Sequence, residues 1–198
     1  MSHPIRFKFD SEKLVQALAF FASRGVEDLD TLKSAKLLYF ADRAHLLKYG
    51  RPIVGDDYYC MKNGPIPTNA LGQIQDFLSR TPTGDHDERF DEYFDVDHSH
   101  NYSRFVTRKA PDLDVFSASD LEILEEVLIS YGDRSAWKLR DLSHLDECVQ
   151  IADNERLARG VGSVRIPFEV FFKGTDSKLL PLVESDQDNR DFAESLNW

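Results

Sequence analysis

The chain has 198 residues, with 35 acidic against 24 basic side chains, a formal net charge of −11 and 41% hydrophobic residues. That length predicts one domain, two at most, and 14 Phe with 7 Tyr can fill a core, so a wholly disordered chain is excluded. The acidity excludes a dedicated binder of nucleic-acid backbones, which needs a basic surface to displace counterions, and equally a binder of anionic membranes.

The excess charge is concentrated. Between Thr83 and Asn101, seven acids (Asp85, Asp87, Glu88, Asp91, Glu92, Asp95 and Asp97) stand against Arg89 alone, and from Glu184 to Trp198 five acids stand against Arg190. The remainder is nearly neutral. Two acidic segments on a neutral body are the expectation, in the first instance a solvated loop and a solvated tail. Met1 to Asp10 lacks the apolar core of a signal peptide, and the most apolar run, Leu14 to Ala22, is too short to span a bilayer. Cys60 and Cys148 lie far apart in no metal or redox spacing, which predicts a reduced, cytoplasmic setting.

In chain order, Asp10-Ser11-Glu12 reads as a helix start, followed by Leu14, Leu18 and Phe21 and stopped by Gly25. A second helix follows Asp30 and runs to Gly50. Its middle, Leu37-Leu38-Tyr39-Phe40-Ala41, is apolar all round, which predicts a central helix surrounded by other elements. Ile53 to Met61 predicts a turn followed by a short strand. Asn63-Gly64-Pro65-Ile66-Pro67 predicts a turn that continues neither helix nor ladder, because its prolines lack backbone donors. Thr68 is expected to cap a helix reaching Ser79. Phe90 to Val96 and Tyr102 to Val106 predict a hairpin, and Ser119 with Glu122 predicts a capping box for a helix from Leu121 to Tyr131. Further helices are expected after Ser135, near Glu147 to Leu157, after Pro167, and from Leu179 to Trp198. The sum is an α+β domain, mainly helical, with six or seven helices around a buried central one and a small antiparallel β element.

Two constellations could carry chemistry. Asp95-x-Asp97-His98-x-His100 has metal-ligand residue types, but its bland reading is a solvent-facing turn, and no further ligand is nominated. Asp42 and His45, three apart on the central helix, could share a face as half of a hydrolase triad, yet no serine or cysteine elbow accompanies them. Phosphate-binding glycine motifs are absent as well, so no catalytic residue, metal or cofactor is assigned. The densest polar cluster is Lys36 to Pro67, and polar groups on an engulfed helix must find internal partners or line a cleft.

That segment resembles a known family. Lys36-Leu37-Leu38-Tyr39-Phe40-Ala41-Asp42, His45-Leu46, Tyr49-Gly50-Arg51-Pro52-Ile53, Gly55-Asp56, Met61-Lys62 and Gly64-Pro65-Ile66-Pro67 together are similar to the signature of the Panacea domain, the SocA-like antitoxin family. Pro111 to Asp114, Ser117 to Leu121 and Leu139 to His144 fit more loosely, so the resemblance spans most of residues 10–150. It predicts a Panacea-like domain over 1–165 and an acidic helical extension over 166–198. It implies a bacterial or phage antitoxin, not an enzyme, that neutralises a cognate toxin encoded next door, a small alarmone-synthetase-type toxin among the candidates. A homodimer or toxin–antitoxin heterotetramer, and a Clp protease receiving the toxin from an adaptor, are further partners that the resemblance leaves open. The hydrolase using Asp42 and His45 is the enzymatic alternative. For a partner-binding surface, the cleft between central helix and turn nominates Lys36, Tyr39, Asp42, His45, Tyr58, Tyr59, Lys62 and Asn63. Mimicry of a polyanionic substrate adds Asp85, Asp87, Glu88 and Asp91.

Overall fold

The structure, a computed structural model, describes residues 4–195. Helix α1 (Ser11–Ser23) starts at Asp10, whose carboxylate accepts the Lys13 N–H. Its apolar face, including Leu14, Leu18 and Phe21, is fully buried. Helix α2 (Thr31–Tyr49) is capped by Asp30 through the Lys33 N–H at 2.7 Å and closes on Gly50, left-handed at φ 77°. From Lys33 to Asp42 every residue of α2 is buried, so the helix threads the core as its composition predicts.

Strand β1 (Tyr58–Met61) is the middle of a three-stranded antiparallel sheet, between β2 (Gly64–Pro67) and β5 (Val164–Ile166). The expectation that residues 63–67 cannot enter a ladder is therefore wrong from Gly64 onward. The physical reason lies in register. Gly64 pairs with Met61, Pro65 with Cys60, Ile66 with Tyr59 and Pro67 with Tyr58. β2 is an edge strand, and its two prolines, two residues apart, turn their donorless nitrogens to the side away from β1.

Helix α3 (Thr68–Phe77) follows directly. Thr68 does not cap it: the N-cap is Pro67, and the acceptor is the distant Asp56, which takes the N–H groups of Asn69 and Ala70 at 3.0 and 2.7 Å. The expected strand over Phe90 to Val96 divides into a short helix α4 (Arg89–Tyr93) and strand β3 (Phe94–Asp97), which pairs with β4 (Arg104–Thr107) as a hairpin. Phe90, Phe94 and Phe105 pack with Phe77 in an aromatic cluster that fixes this turn of direction.

Helix α5 (Ala118–Tyr131) carries a capping box two residues earlier than expected, between Ser117 and Asp120. Then come α6 (Ala136–Ser143), α7 (Glu147–Arg159) and, after β5 and a 3-10 turn at Phe168–Phe172, α8 (Leu180–Ser195). The described residues thus hold eight α-helices, a small three-stranded antiparallel sheet and a separate two-stranded hairpin, a mainly helical α+β domain. Phe171 lies 6.0 Å from the Tyr39 ring and 5.7 Å from the Tyr58 ring, and Val183 and Gln187 of α8 are buried. The expected tail helix is present to Ser195, and Leu196 to Trp198 lie outside the described residues. No helix among the described residues is long and apolar enough to cross a membrane.

Candidate functional site

Lys36, Tyr39, Asp42 and His45 recur every three residues along α2. At 3.6 residues per turn each step falls about 60° short of a full turn, so the four side chains fan across about half the helix circumference. Each therefore grips a different element.

Lys36 is fully buried and donates to the Pro65 carbonyl at 2.7 Å, on the open side of the edge strand. Burial, which penalises the charged form, lowers its pKa to about 7. Gly64, left-handed at φ +81°, is what admits it. A Cβ there would lie 2.9 Å from Ser143 Oγ and 3.1 Å from Lys36 Nζ. Tyr39 donates to Asp146 at 2.8 Å beside Cys148, and Arg43 reaches the same carboxylate at 3.3 Å.

Asp42 is the centre of the lock. One oxygen accepts the N–H groups of Ile53 and Val54 at 2.9 and 2.7 Å. The other accepts the Gly55 N–H at 3.1 Å and the Tyr58 hydroxyl at 3.0 Å. Burial raises its pKa to about 6, against the pull of those four donors. Gly55 is left-handed, and a Cβ there would meet the Lys8 carbonyl oxygen at 2.7 Å, so the loop closes on the N-terminal segment as tightly as glycine allows.

His45 turns the other way. Its Nδ1 meets the Arg51 carbonyl oxygen at 2.6 Å, and its Nε2 lies 3.0 Å from both Ser119 Oγ and Asp120 Oδ1. Asp120 is wholly buried and also takes Lys13 at 2.8 Å and Arg51 at 2.9 Å. Burial alone would raise its carboxyl; the bonds from His45, Lys13 and the Ser117 N–H outweigh that and hold it well below the usual carboxylate range.

Asp42 and His45 thus share no hydrogen bond or ion pair, and the half-triad that their spacing allows is not assembled. Ser119 and Asp120 both meet the same nitrogen of His45, whereas a nucleophilic triad needs them on opposite nitrogens. Burial pushes the Cys60 thiol up to about 11, away from thiolate chemistry. On the β3–β4 hairpin, Asp97 near the tip is taken by Arg104 and Asp95 near the base by Arg108, while at the tip His98 Nδ1 lies 2.8 Å from Ser103 Oγ. Among the described residues no group of three or more His, Cys, Asp or Glu side chains is arranged to hold a metal.

The nominated surface divides accordingly. Lys36, Tyr39, Asp42, His45 and Tyr58 are interior, Tyr59 is half-buried, and Lys62 and Asn63 are exposed at the β1–β2 turn. Asp85, Glu88 and Asp91 are exposed on the outer arm. Asp87 is half-buried, accepting from Ser11 Oγ at 2.6 Å and paired with Arg89, which holds its carboxyl below the ordinary range. The two groups lie on different elements, the turn against α6 and the arm against α1. Asp56, Arg51, Lys13 and Asp120 complete the lock without having been nominated as site residues. The first two and Asp120 fall within stretches that resemble the family signature, whereas nothing in the sequence marks Lys13.

A family model described as antitoxin SocA-like, Panacea domain, matches residues 35–148, more than half of the chain. No curated protein and no solved structure matches.

Proposed function

The chain belongs to the SocA-like Panacea antitoxin family, and on that premise we propose that it neutralises a cognate toxin, encoded by a neighbouring gene, by binding it directly. The observation that carries this is the family match, because it covers most of α2, the β1–β2 hairpin and the helices α3, α5 and α6 packed around them. The interior polar residues support a scaffold role. Lys36, Tyr39, Asp42 and His45 fix neighbouring segments to α2, so a partner would meet a surface whose shape they set rather than the groups themselves. Lys62 and Asn63 at the turn, with Asp85, Glu88 and Asp91 on the arm, are the nominated residues that a partner could touch. A small alarmone-synthetase-type enzyme, whose nucleotide cleft would be basic, is the toxin class that an acidic binder fits best.

Co-expression with the product of the adjacent reading frame tests the proposal. Growth should be restored and the two chains should co-purify. Continued toxicity at equal expression, with both proteins soluble, would overturn it. Persistence of the toxin at unchanged lifetime during rescue would separate occlusion from delivery to a Clp protease.

A further inference from the structure

Away from the α2 lock, a cleft of about 470 Å³ opens between the α1–α2 loop, the tip of the β3–β4 hairpin and the start of α6. Its walls carry the carboxylates of Glu27, Asp28, Asp30 and Asp133 and the rings of Tyr102 and Trp137, which are 41% and 59% exposed. Two cations share the wall and act on the acids through space, but their hydrogen bonds go to backbone. Lys33 Nζ donates to the Glu27 carbonyl at 2.7 Å and Arg134 Nε to the Ser130 carbonyl at 3.3 Å.

The acids are not equivalent. Asp28 is held by Arg104 at 2.6 Å, and Asp30 caps α2. The Glu27 carboxylate makes no hydrogen bond or ion pair among the described residues, and Asp133 pairs only with Arg134, at 3.8 Å, while the Lys33 ammonium acts on both through space. Two carboxylates therefore border the cleft with capacity to spare. The loop that presents Glu27 is fixed in advance. Asp28 adopts a left-handed φ of 52°, pinned by Arg104 and by the Asp30 N–H, which donates to the Asp28 carbonyl at 2.7 Å.

The exposed rings are the second feature: Trp137 comes from α6, and Tyr102, from the hairpin tip, stacks on His100 and reaches Asp28. An indole more than half in water is an anchor awaiting contact, and Trp, Tyr and Arg dominate the centres of protein interfaces. This indole already takes a guanidinium, with Arg140 5.3 Å from its ring centroid.

From the spare carboxylates, the two rings and a recess of side-chain size, we infer that this cleft receives an arginine side chain of the protein partner. A guanidinium fits better than an ammonium, because it can stack flat on an aromatic face while its edge N–H groups reach carboxylates. The inference rests on the antitoxin reading for who the partner is, but not for what the recess binds.

The test uses a capped glycine–arginine–glycine peptide and its citrulline counterpart, the neutral isostere, read by Trp137 fluorescence in a Trp198→Phe chain, since these are the two tryptophans. The arginine peptide should bind saturably, and the citrulline peptide about tenfold more weakly. Glu27→Gln with Asp133→Asn should erase that difference, and the same double variant, like Trp137→Ala, should weaken the complex with the neighbour-encoded toxin. Equal binding of the two peptides, or a double variant that still discriminates or still binds the toxin as before, would overturn the inference. If the unaltered chain discriminates the peptides yet fails to protect cells, the antitoxin reading falls and the chemistry of the cleft stands.

Discussion

Around α2, Asp42 and Asp56 are buried and direct their oxygens at backbone N–H groups. On the outer arm, Glu92 and Asp95 stand exposed and pair with Lys109 and Arg108 across the hairpin. The residue types are the same, but the surroundings give them different work. In the interior a missing acceptor strands donors that water cannot reach, so each carboxylate fixes a loop. On the arm, water and salt compete for every charge, and the pairs select the arm's surface more than its stability.

The largest effects should come from breaking the interior set. Asp42→Asn replaces one accepting oxygen by an amide N–H₂, and both oxygens already face donors, so one pair of donors must lose its partner. Urea unfolding should show a loss of about 3–5 kcal/mol. Asp120→Asn should cost about 3 kcal/mol at neutral pH, because Lys13, Arg51 and His45 then surround a neutral amide. Its folded pKa lies below the unfolded one, so Asp120 contributes stability above about pH 4 and loses it as pH falls. An acid melt should therefore narrow the gap between wild type and variant. A gap that persisted at low pH would show that the site acts through packing alone.

Asp56→Ala should cost about 1–2 kcal/mol, the scale of a lost helix cap, since it leaves the Asn69 and Ala70 N–H groups without their acceptor. Lys36 offers a test by sign. Burial lowers its folded pKa from 10.5 to about 7, so the native state holds fewer protons than the unfolded chain between those values. Stability should thus rise as pH climbs from about 7 towards 10, and Lys36→Met should flatten that rise in a series of melting temperatures. At the small end, Asp95→Asn or Arg108→Ala on the arm should leave the melting temperature within replicate scatter. A large drop there would erase the contrast between the two regions.

The interior region was the more legible in sequence. Asp30 and Gly50 bracket α2, and an apolar middle with no wet face announces its position at the centre. The partners of its polar residues were not legible, because they are non-local. Asp56 reaches into α3 from another loop, and Asp120 arrives from 75 residues beyond His45. The prolines of β2 misled because a missing donor forbids a central strand but not the outer side of an edge. On the arm, composition over Thr83 to Asn101 suggested a bare acidic strip. Yet Arg104, Arg108 and Lys109 sit just outside that window and fold back onto Asp97, Asp95 and Glu92. Local charge counting cannot see a hairpin return. The exposed indole of Trp137, beside Glu27 and Asp133, escaped notice for the same reason, since three separate segments build that cleft.

The proposed antitoxin role is tested most directly by titrating the purified neighbour-encoded toxin with this chain while following toxin activity and complex formation together. Neutralisation by binding predicts that activity falls in proportion to added protein, reaches zero at a fixed molar ratio, and tracks the complex in size-exclusion chromatography. Loss of activity at far below stoichiometric amounts, with the toxin eluting alone, would contradict it and point instead to an enzyme.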